Sequence, residues 1–185
     1  MNKKIAFASV LICLGAIFRL IPHPSNFTPV AAMALLGGFY FSKKYLAFLV
    51  PVLALLVSDF ILNNTVNRIF FEDQIGMVLW ADYMTFTYTA IVLTVIIGFA
   101  LSKTSFAGKV AGGSLAASIL FFIVTNFGSW LTASFYPKDF TGLLAAYTAG
   151  VPFFANTLMS NLLFVGLFVF AIEGALKYSK KAVTA

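Results

Sequence analysis

Ten side chains carry most of the chemistry in an otherwise apolar chain: Arg19, His23, Asn26, Asp59, Tyr88, Asn126, Trp130, Tyr136, Asn156 and Asn161. Arginine and aspartate can pair with each other or hold ligand charges. Asparagine offers both an amide donor and a carbonyl acceptor. Tyrosine and tryptophan present a flat apolar body with one polar tip. This set suits recognition of a small molecule better than catalysis, because one acid and one loop histidine make a thin catalytic group. A metal site needs three or four ligands, and one histidine (His23) with one cysteine (Cys13) does not supply them. The sequence has no His-Glu-x-x-His, no Gly-x-Ser-x-Gly and no phosphate loop. The expectation is therefore a protein without metal or cofactor, not an enzyme, that draws any transport energy from another protein or an ion gradient.

The surroundings of these residues define the class. Of 185 residues, 61% are hydrophobic and 10% charged, with a mean hydropathy of +0.98. A soluble domain carries roughly 25% charged residues. So apolar a chain lacks the polar surface to face water and the low hydrophobicity of disorder. Six continuous apolar stretches are predicted to span the membrane as helices: 5–21, 27–41, 45–62, 83–101, 110–131 and 151–172. Barrel strands would alternate instead. The reading is an all-α, integral-membrane six-helix bundle in one transmembrane domain, 1–185. The second stretch has 15 residues, short against the ~20 needed to cross, and follows Pro22-His23-Pro24, so a short or irregular span is expected there. Polar segment 63–82 reads as an external loop with an amphipathic piece at Ile69-Phe70-Phe71. Cleavage after the first span is not expected, because Phe18-Arg19-Leu20 stands where small residues would be needed. Cys13 is expected to be a small buried packing residue.

Basic residues orient the spans. With six spans, Lys3, Lys4, Lys43, Lys44, Lys103, Lys109, Lys177, Lys180 and Lys181 fall on one side, leaving Arg19, Arg68 and Lys138 for the other. Both termini are then cytoplasmic in a multi-pass protein of the cytoplasmic membrane. The net charge of +6 reflects that topology and calls for no nucleic-acid partner.

The lysines also act as rulers. Arg19 is 15 residues beyond Lys4, Asp59 is 15 beyond Lys44, and Tyr88 is 15 before Lys103. At ~1.5 Å per residue, all three rise about 22 Å from the inner boundary. Asn161 and Asn126, 16 and 17 residues from Lys177 and Lys109, reach nearly the same level. Intramembrane polar groups are costly and usually face a bundle interior or cavity. The layer predicts an outward-facing pocket with a polar floor, with His23, Asn26, Trp130, Tyr136 and Asn156 above it. The plainer alternative is an Arg19–Asp59 pair, with Asn and Tyr as hydrogen-bonding glue between helices. Ala6, Ser9, Cys13 and Ala16 form a small-residue stripe on the first span. It serves either packing within the chain or docking onto a partner membrane protein. Gly37-Gly38 and Gly112-Gly113 are expected to permit close helix approach.

The run Arg19-x-x-Pro22-His23-Pro24-x-Asn26-Phe27-x-Pro29-Val30 resembles the first motif of an uncharacterised bacterial membrane family described as transport proteins. Ser58-Asp59, Thr125-Asn126-Phe127-Gly128-x-Trp130-Leu131, Tyr136-Pro137 and Pro152-Phe153-Phe154-x-Asn156-Thr157-Leu158 resemble its further motifs. That family is similar to the S components, the substrate-binding subunits, of energy-coupling-factor vitamin transporters. The resemblance implies a six-helix S-component-like fold, a pocket lidded by the first external loop, a vitamin-like small-molecule solute, and small residues on the first helix docking a T component with ATPase subunits. The competing readings are an autonomous carrier using Asp59 as a proton or ion site, and a membrane enzyme acting on lipid through Asp59, His23 and Arg19.

Overall fold

The computed structural model describes residues 3–72 and 74–184, with the side chains of 178–184 outside the description. Lys180 and Lys181, assigned to the cytoplasmic side by the charge pattern, therefore lie outside the described side chains. The chain is helical: α1 (Lys3–Phe18), α2 (Val30–Tyr40), α3 (Lys44–Asn64), α4 (Asp82–Leu101), α5 (Gly113–Thr132) and α6 (Phe140–Thr184). A 3₁₀ helix, Val66–Phe71, follows α3, and a short π-helix, Gly108–Gly112, leads into α5.

The short second element is the centre of the molecule. All eleven residues of α2 are buried, and it packs against each of the other five helices. At ~1.5 Å per residue it is about 16 Å long, roughly half of a ~30 Å hydrocarbon core. Its small residues permit the close packing. A Cβ on Gly37 would stand 2.4 Å from the Ala47 carbonyl oxygen of α3, and one on Gly38 2.4 Å from that of Val95 on α4. Gly112, in contrast, has open space around it, so its expected role in helix approach does not hold.

Among the described residues, four helices are long and apolar enough to cross a membrane: Lys44–Asn64, Asp82–Leu101, Gly108–Thr132 and Phe140–Lys177. The distribution of side chains fits that solvent. Phe7, Val10, Leu14 and Ile17 of α1, Leu49, Leu53 and Val57 of α3, and Leu163, Leu167 and Phe170 of α6 all point outward. Ser58, Asp59, Asn63, Thr94, Ser114, Ser118, Ser160 and Asn161 are buried. An apolar exterior, with these polar side chains drawn into an otherwise apolar interior, is the arrangement of a bundle whose surroundings are lipid. The chain has the build of a multi-pass membrane protein.

Two expectations are corrected. The last helix begins at Phe140 rather than near 151 and runs straight through Pro152. Asp139 starts it, its Oδ1 accepting the Gly142 N–H at 2.8 Å. Cys13 is exposed, because α1 turns Ile5, Ala8, Ile12 and Gly15 inward. Ala6, Ser9 and Ala16 lie half-buried beside it at the edge of that face. In the 63–82 link, where an amphipathic piece is expected, a 3₁₀ helix forms with Ile69 and Phe70 exposed. Asn64 braces the link by accepting the Val78 N–H at 2.8 Å and donating to the Val78 carbonyl at 3.0 Å.

Candidate functional site

The polar layer resolves into two separate constructions. The first is a clamp joining the end of α1 to α3 and α4. Arg19 follows α1 directly, its N–H still bonded to the Gly15 carbonyl. Its guanidinium donates to Asp59 Oδ1 at 2.6 Å and to Ser58 Oγ. The Tyr88 hydroxyl donates to Asp59 Oδ2 at 2.9 Å. Asp59 is 1% exposed, and both its oxygens are engaged. The clamp therefore carries no net charge, and the expected Arg19, Asp59 and Tyr88 do meet.

The second construction is a cavity of about 330 Å³ among α4, α5, α6 and the α1–α2 link. This is within the size range of small-molecule sites. From α5 come Phe121, Phe122, Thr125, Asn126 and Ser129; from α6 come Ala146, Ala149, Gly150, Phe153, Phe154 and Thr157. Thr87, Tyr136 and Asn26 complete it. Gly150 makes room for Asn126, since a Cβ there would stand 2.2 Å from Asn126 Oδ1. Asn26 sits at φ 60°, in the left-handed region that asparagine tolerates better than most residues. The link is tied across the bundle by Asn156 Nδ2 donating to the Ser25 carbonyl at 3.0 Å and Ser160 Oγ donating to that of Thr28 at 3.3 Å.

Asn26, Asn126 and Tyr136 thus line one cavity, and Asn156 secures its rim. His23 lies elsewhere. With Arg19 and Asn26 it borders a neighbouring cavity of about 350 Å³, its ring stacked on Phe18 at 6.0 Å. Trp130 is not part of the lining. Its indole N–H donates to the Pro137 carbonyl at 2.9 Å and its ring tilts against Phe127. Trp130, expected above the polar floor, instead fastens the α5–α6 link. Asn161 is fully buried, donating to Ser118 Oγ at 2.9 Å.

Sequence reasoning missed the aromatic walls and hydroxyls of the cavity. Phe121, Phe122, Thr125, Asn126 and Ser129 recur at one-face helical spacing, as do Ala146, Ala149, Gly150, Phe153, Phe154 and Thr157. That periodicity was the available signal. It also missed that Lys109, counted among the basic residues that orient the spans, is buried. Lys109 pairs with Glu173 at 2.8 Å and lies 5.3 Å over the Tyr40 ring. The ruler used for Asn126 thus starts inside the bundle. Among the described residues, no group of three or more His, Cys, Asp or Glu is placed to hold a metal ion.

No curated protein and no solved structure matches the chain. A family profile does match, across residues 1–183. On that match over nearly its whole length, the chain belongs to DUF6580, a family of unknown function.

Proposed function

We propose that this protein is a membrane-embedded solute-binding subunit that captures a small vitamin-like molecule in the cavity between α4, α5 and α6. The observation that carries the reading is the cavity itself: about 330 Å³, walled by four phenylalanines and furnished with uncharged hydrogen-bonding groups. Its polar groups belong to the helix ends remote from Lys44, Lys103 and Lys177. With those lysines on the cytoplasmic face, the cavity opens outward, both termini are cytoplasmic and the membrane is the cytoplasmic one. Energy comes from a partner T component with ATPase subunits. The half-buried and exposed edge of α1 formed by Ala6, Ser9, Cys13 and Ala16 is open to such docking. Against an autonomous ion-coupled carrier stands the engagement of both Asp59 oxygens by Arg19 and Tyr88. Against a lipid enzyme stands the same engagement, which leaves neither Asp59 oxygen free to act as a base.

Liposomes containing the chain alone, under an imposed proton or sodium gradient, are incubated with a small-molecule metabolite extract, and the lumen is analysed by mass spectrometry. A binding subunit retains solute on the protein without accumulating it inside. Gradient-driven accumulation would overturn this reading in favour of the carrier.

A further inference from the structure

The direction of the hydrogen bonds around the cavity gives its chemical preference. Thr125, Ser129 and Thr157 donate their hydroxyl protons to the carbonyls four residues back in their own helices, at 2.7, 3.1 and 3.1 Å. The Asn126 amide donates to the Phe122 carbonyl at 2.8 Å. With these protons committed to the backbone, the three hydroxyls face a ligand as acceptors, and Asn126 offers its carbonyl oxygen and its second N–H. Adjoining the main cavity and sharing Asn26, Phe121 and Thr157 with it is a smaller one of about 40 Å³, bordered by Thr28 and Asn161. That is room for one small polar group. Asn161 is fully buried, its Nδ2 is taken by Ser118, and its Oδ1 has no partner; Thr28 Oγ1 has none either. An unpaired buried acceptor is costly unless something donates to it.

Charge adds a second restriction. Among the described residues, none that lines either cavity is acidic or basic. The nearby Arg19 is neutralised by Asp59. A charged ligand would lose its hydration without gaining a counter-charge. Phe121, Phe122, Phe153 and Phe154 favour a flat ring between them.

We infer that the cavity selects uncharged, flat-ringed solutes carrying N–H or O–H donors, with the deepest donor received by Asn161 Oδ1 and Thr28 Oγ1. The inference rests on the solute-binding reading and names its substrate class.

Three matched probes test it: benzamide, a neutral donor; benzamidinium, a cationic donor; and benzoate, an anion with acceptors only. Binding to the purified protein is followed by ligand-observed NMR, with Ala149→Trp as the blocked-cavity control. Benzamide is expected to bind at least fivefold more tightly than either charged probe, and Ala149→Trp to abolish its signal. Asn161→Leu is expected to weaken benzamide at least threefold. Thr28→Val, a near-isosteric change at a half-buried position, repeats that test if Asn161→Leu misfolds. Equal or tighter benzoate binding would overturn the donor requirement. Tighter benzamidinium binding would overturn the preference for uncharged ligands. In both cases sensitivity to Ala149→Trp leaves the binding cavity standing. Unchanged benzamide affinity in Asn161→Leu and Thr28→Val would overturn the deep subsite. Absence of binding by all three probes, or binding indifferent to Ala149→Trp, would overturn the inference together with the solute-binding reading.

Discussion

Replacing Asp59 by alanine should expose the energetics of the clamp. In the native arrangement the charges stand 2.6 Å apart, with the carboxylate side chain 1% exposed and the guanidinium 13%. At an effective dielectric of ~20 the gross attraction at that distance is about 6 kcal/mol. Desolvation of both groups offsets much of this, so the pair adds little relative to apolar packing. Removing one partner is different. Asp59→Ala strands Arg19 with only the Ser58 hydroxyl as acceptor. The expected loss is about 3–5 kcal/mol, which for a chain this size lowers the melting temperature by roughly 6–20 °C. The double variant Asp59→Ala with Arg19→Leu removes the stranded charge and should recover at least half of that loss. The assay is thermal unfolding of the detergent-purified single and double variants, read by intrinsic fluorescence. A double variant as unstable as Asp59→Ala would refute the pair as the unit that matters and assign each residue a separate duty.

Four further outcomes are expected. Tyr88→Phe deletes one hydrogen bond to the buried carboxylate and should cost about 1.5–3 kcal/mol in the same unfolding assay. Lys109→Met should cost about 1–2 kcal/mol, between the exposed and buried ion-pair ranges because Glu173 is 32% exposed, and adding Glu173→Gln should restore most of it. Trp130→Phe keeps an aromatic ring but loses the bond to Pro137, so stability should fall by about 1 kcal/mol while solute retention, measured by mass spectrometry, stays unchanged. In a Cys13→Ser background, Gln74→Cys should react with an impermeant maleimide added to intact cells, and Thr104→Cys only after the inner face is exposed.

What the sequence made legible follows from lipid as the solvent. Continuous apolar runs mark where helices exist, and the shortness of 27–41 agrees with a second helix of only eleven residues. Counting helical rise from Lys4, Lys44 and Lys103 brought Arg19, Asp59 and Tyr88 to one level, where they touch. Facing was harder to read, because membrane helices are apolar all round. The spacing of Ala6, Ser9, Cys13 and Ala16 puts them on a common side of α1. Packing of α1 on α2 and α3 puts Ala8, Ile12 and Gly15 inside and leaves Cys13 outside. The start of α6 was hidden by Thr141, Tyr147 and Thr148, which lower the hydropathy, and by Pro152, which ordinarily marks a helix end. The Lys109–Glu173 pair spans 64 residues and leaves no local trace.

Native mass spectrometry of the detergent-purified protein addresses the solute-binding cavity most directly. Wild type is expected to carry a bound small molecule that dissociates on gentle activation, and Ala149→Trp, folded to the same extent, to carry none. A wild type free of any adduct after exposure to a metabolite extract, or an adduct equally abundant in Ala149→Trp, would contradict the assignment of the cavity between α4, α5 and α6 as the solute site.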